Sequence, residues 1–133
     1  MSIKEFAEKY IEAQHDAFMN GNFDTLEALE DPEVVLHIGP SQEIEGFEAH
    51  KQDILKWREA VSDLQYKTEY LIGDNNLCVL TTKEKAKVTK EVPGFPIQVG
   101  TIYNIDDVIT ILRLADGKIK EVWVKTSMVQ IER

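Results

Sequence analysis

Apolar and β-branched residues gather in the last part of the chain, Ile105–Ile131, in two runs parted by Asp116-Gly117. Asp-Gly between such runs predicts a hairpin of two long antiparallel strands, because both central positions of a type I′ turn need φ > 0. A two-residue loop sets Leu114 opposite Ile119, Leu112 opposite Glu121, Thr110 opposite Trp123 and Asp106 opposite Ser127. The other face then pairs Ile111 with Val122, Ile109 with Val124 and Asp107 with Thr126. A three-residue loop with a bulge would change these partners. Both faces are apolar near the middle, so neither looks at water along its whole length. One is expected against helices or a pocket, the other against more sheet or a second subunit.

Upstream the period changes to that of helices. Ile3, Phe6, Tyr10, Ala13 and Ala17 recur on one face, Ser2 with Glu5 forms a capping box, and Asn20-Gly21 is a stop signal. Asp24 with Glu27 reads as a second capping box, opening a short helix through Leu26 and Leu29 ahead of Pro32. Val34–Ile38 is a first strand ended by Gly39-Pro40. After a loop, Gly46 introduces a third helix over about Phe47–Val61, with Ile54, Trp57 and Val61 on one face. Strands follow at Gln65–Ile72, Leu77–Val88 and Gln98–Leu114, the last after the Pro93–Pro96 interruption, and a final strand covers Lys118–Ile131. Helices set ahead of a meandering sheet mean an α+β fold rather than a parallel α/β one.

Composition narrows the picture. The 133 residues, 43% of them hydrophobic, suit one domain with one core. No apolar run approaches the roughly 18–20 residues of a membrane helix, so no membrane partner is expected. The N-terminus lacks the pattern of a signal peptide. Cys78 lies among apolar neighbours and reads as a buried inert thiol; with no second cysteine there is no intrachain disulfide, and a cytoplasmic location is expected. A net charge of −9 argues against a nucleic-acid partner. Lys83, Lys85, Lys87 and Lys90 form the only local basic run, read as a solvated strand edge that resists aggregation. Phosphate-cradling, dinucleotide and zinc-hydrolase motifs are absent from the sequence, and no repeat or linker divides it.

Several segments carry a family resemblance. Tyr10–Leu29 (YIEAQHDAFMNGNFDTLEAL), Asp31–His37 (DPEVVLH), Glu91–Pro96 (EVPGFP) and Arg113–Trp123 (RLADGKIKEVW) stand in the order found in the nuclear transport factor 2-like superfamily. Within it they resemble the SnoaL-like polyketide cyclase group, over nearly the whole of residues 1–133. The resemblance implies a cone: a strongly curved antiparallel sheet wrapped around the N-terminal helices, with an apolar pocket open at one end. It also implies a homodimer paired through the outer sheet face. Family enzymes act without metal or organic cofactor on polyketides, steroids or epoxides, an acidic residue or histidine transferring the proton. This chain departs from the pattern at Ser127, where the cyclases carry an acid/base aspartate, and at Val122, where a histidine is common. A serine hydroxyl without an adjacent base does not take up a proton near neutral pH.

His37 is the first candidate for proton transfer, since its imidazole titrates in the right range and the family histidine sits at this place. On its strand it shares a face with Val35, and the alternative is a histidine bonded at a strand end. Asp106 is the second: beside Ser127 and on the Trp123 face, a desolvated carboxylate there would act as a base. The alternative is a polar strand end in water. Tyr10, Gln14, Phe18, Trp57, Tyr103, Trp123 and Ser127 are expected to hold a small apolar or amphipathic molecule, or, for the aromatics, to form core. His15 and His50, flanked by polar residues, are expected to be exposed. A metal site from His15, His37 and His50 lacks ligand spacing, and none is expected. Two function classes remain: a cofactor-free acid/base enzyme such as an isomerase, cyclase or hydrolase, and a non-catalytic ligand carrier or dimerisation module.

Overall fold

Ser2 caps the first helix as expected: its Oγ accepts a hydrogen bond from the Glu5 amide at 3.1 Å. The computed structural model describes residues 1–39, 42–93 and 95–132. Helix α1 (Ile3–Asn20) buries Phe6, Ala7, Tyr10, Ala13 and Ala17 and ends on Gly21 at φ 71°. A side chain at Gly21 would also meet Arg58, whose Nη1 lies 2.6 Å from an ideal Cβ. The second capping box does not form. Asp24 is already inside α2 (Asp24–Leu29), and its amide donates to the Asn22 side chain instead.

The chain continues through β1 (Glu30–Ile38), β2 (Gln42–Glu45), α3 (Phe47–Ala60), β3 (Val61–Asp74), β4 (Leu77–Val88), β5 (Ile102–Ala115), β6 (Lys118–Thr126) and β7 (Val129–Glu132). Two strands go beyond expectation. β2 occupies part of the expected loop and pairs antiparallel with β1. The expected final strand breaks at Ser127, which exchanges two hydrogen bonds with Asp107, and β7 then pairs with the start of β5. The sheet order is β2-β1-β6-β5-β4-β3, with β1 parallel to β6 and the other pairs antiparallel. The sheet is curved and unclosed, with α1 against β3 and β4 and α3 against β1.

At the hairpin tip both Asp116 and Gly117 have positive φ, 55° and 74°, as a type I′ turn requires. Leu114 faces Ile119 there. One residue later the register slips: Arg113 pairs Glu121, Leu112 pairs Val122, Ile111 pairs Trp123 and Thr110 pairs Val124. The expected pairs Leu112–Glu121, Thr110–Trp123 and Ile111–Val122 are therefore replaced. Lys120 is the extra residue, and its ammonium is tied to the Asp31 carboxylate at the irregular start of β1. A one-residue bulge exchanges faces for everything beyond it. Val122 and Val124 turn inward, Glu121 and Trp123 outward.

The main core gathers Leu26, Val34, Leu80, Leu112, Ile119 and Val122 with the inner face of α1. A second cluster holds Ala86, Val88, Ile97, Tyr103 and Ile105. Cys78 is buried, and burial pushes its thiol up to about 11, so it stays protonated at neutral pH. The lysines of β4 do not guard an edge, because β4 runs between β3 and β5 and the sheet ends on β2 and β3. Among the described residues, no helix is long and apolar enough to cross a membrane.

Candidate functional site

Between α1, α3 and the inner sheet face lies a hollow of about 410 Å³. Tyr10, Gln14, Phe18, Trp57 and Tyr103 border it, each at a position the sequence singled out. Much of the wall is aromatic. Phe18 stacks on Tyr66 at 5.1 Å between ring centroids, while Phe95 meets Trp57 at 4.9 Å and Tyr103 at 5.3 Å edge-on. Tyr66 and Phe95 were not anticipated; Phe95 belongs to the stretch read as an interruption between strands.

His37, Asp106, Trp123 and Ser127 do not border the hollow, and their expected placement inside the cone is corrected. On β1, Leu36 and Ile38 face inward, so His37 between them faces out. There it stacks on Trp123 at 5.5 Å, and its ring nitrogens pair with Glu121 at 2.6 Å and Glu43 at 3.2 Å. The hydrogen bond from His37, helped by Arg113, holds the Glu121 carboxyl below its usual range. Asp106 is exposed and, among the described residues, accepts only a long contact from Asn104, while Ser127, also exposed, is engaged by Asp107. Trp123 moved outward with the bulge. The three histidines stand apart, His15 exposed on α1, His37 on the outer face and His50 inside.

Beside Gln14, Gln42, Asp53, Lys56, Thr110 and Thr126, which also border the hollow, two carboxylates stand in or behind its wall, and neither was read from the sequence. The first is Glu84 on β4. Its carboxylate accepts a hydrogen bond from the Tyr103 hydroxyl at 2.7 Å. Burial raises the Glu84 pKa above the ordinary carboxylate value, against the opposing effect of that hydrogen bond. Burial and then the Glu84 charge raise Tyr103 and the neighbouring Tyr66 as well, so both phenols stay protonated. The second group is Glu30, which has no exposed surface, with Tyr10 and His50 on its two oxygens. Burial first, and then the Glu30 charge, drives the Tyr10 pKa well above its ordinary value. His50 is 4% exposed, correcting the expectation that it faces solvent.

The Glu84 shift has a measurable sign. A raised folded-state pKa means the native chain keeps a proton that the unfolded chain has released. Stability from that proton is fully present below the unfolded value near 4.5 and is lost as pH rises through the folded value. Urea unfolding at a series of pH values should therefore show Glu84→Gln gaining stability relative to the unsubstituted protein across that window. Parallel curves would mean that Glu84 titrates as it does in water.

A curved, mainly antiparallel sheet wrapped on helices around a lined hollow defines the cystatin-like, nuclear transport factor 2-like class of domain. Within that class the chain belongs to the SnoaL-like polyketide cyclase family, whose sequence profile matches residues 8–133. TsrD from Streptomyces laurentii is similar in structure, with a TM-score of 0.79 at 18% identity over 96% of this chain and 92% of that one. A protein of unknown function with a cystatin-like fold from Xanthomonas campestris superposes with a TM-score of 0.69 at 19% identity over 96% and 92%. An LEH-like epoxide hydrolase of M. tuberculosis gives 0.64 at 12% identity over 93% and 81%. These likenesses establish the fold. None of the curated proteins matches the chain in sequence.

Proposed function

We propose that the chain is a small-molecule-binding cone whose hollow carries out cofactor-free acid/base chemistry, of isomerase, cyclase or hydrolase type, on an apolar or polyketide- or steroid-like molecule. The hollow's size lies within the roughly 300–1,000 Å³ of ordinary small-molecule sites. The observation that carries the reading is Glu84: a carboxyl group set among aromatic and aliphatic lining residues, with the Tyr103 hydroxyl as its one side-chain hydrogen-bond partner among the described residues. Desolvation raises its pKa, and in its protonated form such a carboxyl is a hydrogen-bond and proton donor toward a ligand oxygen. A wall built only to carry a greasy molecule gains nothing from such a group, because burying it costs free energy.

Tetralone, a bicyclic ketone, tests this in heavy water. The unsubstituted protein should bind it and exchange the hydrogens beside its carbonyl faster than buffer does, followed by mass spectrometry. Glu84→Gln should keep the binding and lose about 100-fold or more of the exchange rate, the low end of general acid–base contributions. Binding without exchange would make the chain a carrier. No binding at all would remove the hollow as a ligand site.

A further inference from the structure

Behind the wall of the hollow lies a second polar group, assembled from three elements, of which Tyr10 and His50 reach the hollow. Glu30 stands where α2 passes into β1, Tyr10 comes from the middle of α1, and His50 from the first turns of α3. The Tyr10 hydroxyl donates to Glu30 Oε2 at 3.1 Å, and His50 Nδ1 meets Glu30 Oε1 at 2.9 Å. Glu30 is wholly buried, so its oxygens depend on these two partners. With Tyr10 donating to one oxygen, the ring hydrogen of His50 belongs on Nδ1, donating to the other. That leaves Nε2 as the nitrogen with the lone pair.

Nε2 has no hydrogen-bond partner among the described residues. No side-chain nitrogen or oxygen there is both sealed and unpartnered, so Nε2 keeps open surface, and His50 borders the hollow. We infer that His50 is a general base of this site, its Nε2 lone pair offered to the ligand, with Glu30 as the positioning residue that fixes the ring. The inference rests on the hollow being a ligand site, as proposed above. Its substrates carry a carbon–hydrogen bond acidified by a neighbouring carbonyl or an equivalent electron-withdrawing group. In the step, Nε2 takes the proton and the carbon–hydrogen electron pair moves to form an enolate. The Glu30 charge stabilises the imidazolium that results, as a carboxylate behind a catalytic histidine does. Where a double bond extends the enolate, return of the proton to the far carbon completes an isomerisation; where the imidazolium first swaps its proton with water, return of a solvent proton to the same carbon completes an exchange.

Nitrobenzisoxazole isolates that step, because its ring opening needs a base and no other reactant. Removal of the ring carbon's hydrogen sends that electron pair into a carbon–nitrogen triple bond. The nitrogen–oxygen bond breaks and a coloured cyanonitrophenolate leaves, the proton staying on the base. The protein should open the probe with saturation kinetics. His50→Gln should lower kcat by about 100-fold or more with KM little changed, while His15→Gln, on the exposed face of α1, should leave the rate alone. Glu30→Gln should lower kcat and move the acidic limb of the pH–rate profile, where protonation of the base switches the rate off, which a merely structural contact would not do. Nitrogen NMR on the unsubstituted protein supplies a measurement that needs no variant: the Nδ1–H tautomer of His50 supports the inference, and an Nε2–H tautomer overturns it. A probe that binds without opening, or opens equally fast in a folded His50→Gln, overturns His50 as base and leaves the hollow standing as a ligand site. A probe that does not bind overturns both.

Discussion

Glu30→Ala should cost the fold about 2–6 kcal/mol, at about 1–3 kcal/mol for each of the two buried donors it leaves without an acceptor. Glu30 has no exposed surface, and its two oxygens tie α1 to α3 through Tyr10 and His50. Truncation leaves the Tyr10 hydroxyl and the His50 Nδ1 hydrogen facing each other across a void with nothing to accept either. Glu30→Gln keeps the volume and one acceptor, so its cost should be smaller, about 1–3 kcal/mol for one mismatched buried polar group. Urea denaturation of the two variants beside the unsubstituted protein measures both. An alanine variant weaker by less than about 1 kcal/mol would show that water replaces the carboxylate at no penalty, and the three residues would then be a wet contact rather than a fixed unit.

How much of this was legible in the chain depends on whether the deciding contact is local. The caps of α1, the Asp116-Gly117 turn and the succession of helices before sheet all follow from neighbours a few residues apart, and they took the shapes their sequences imply. The bulge at Lys120 was not foreseen, although Lys120-Glu121, two polar residues in succession between the buried Ile119 and Val122, interrupts the alternation of β6. Lys120 is tied to Asp31, far away in sequence, and β6 docks parallel to β1 beside that contact. Missing one residue turned Trp123 and Glu121 to the wrong face. His37 was misplaced for a different reason: its alternation with Leu36 and Ile38 was right, but which of the two faces meets the hollow is a property of the closed cone.

His50 and Glu84 were readable from their phase. His50 falls in step with Phe47, Ile54 and Trp57 on α3, so helical phase outweighs its polar neighbours Lys51 and Gln52. Along β4 the residues Cys78, Leu80, Thr82, Ala86 and Val88 occupy the inward positions and the lysines largely the outward ones, and Glu84 sits in the inward set. A carboxylate in the apolar phase of a strand is the signal that was there to be used. Glu30 offered no such signal, since its partners lie 20 residues away on either side.

The largest test of the hollow itself compares two leucines. Leu112 on β5 is wholly buried in the main core and does not border the hollow, so Leu112→Ala should cost about 2–5 kcal/mol, the loss of transfer energy plus the cavity left behind. Leu64 at the start of β3 is half-buried and borders the hollow. Its side chain has packed neighbours on one side and open space on the other, so truncation enlarges an existing void instead of making a new one. Leu64→Ala should cost about 1 kcal/mol, since fewer dispersion contacts are lost and less apolar surface leaves a packed environment. The difference between the two, read from urea midpoints at equal m-values, reports whether the cone is lined or filled. Equal losses would mean that side chains close over Leu64 in solution, and an interior packed solid there has no room for the ligand whose proton Glu84 and His50 are placed to move.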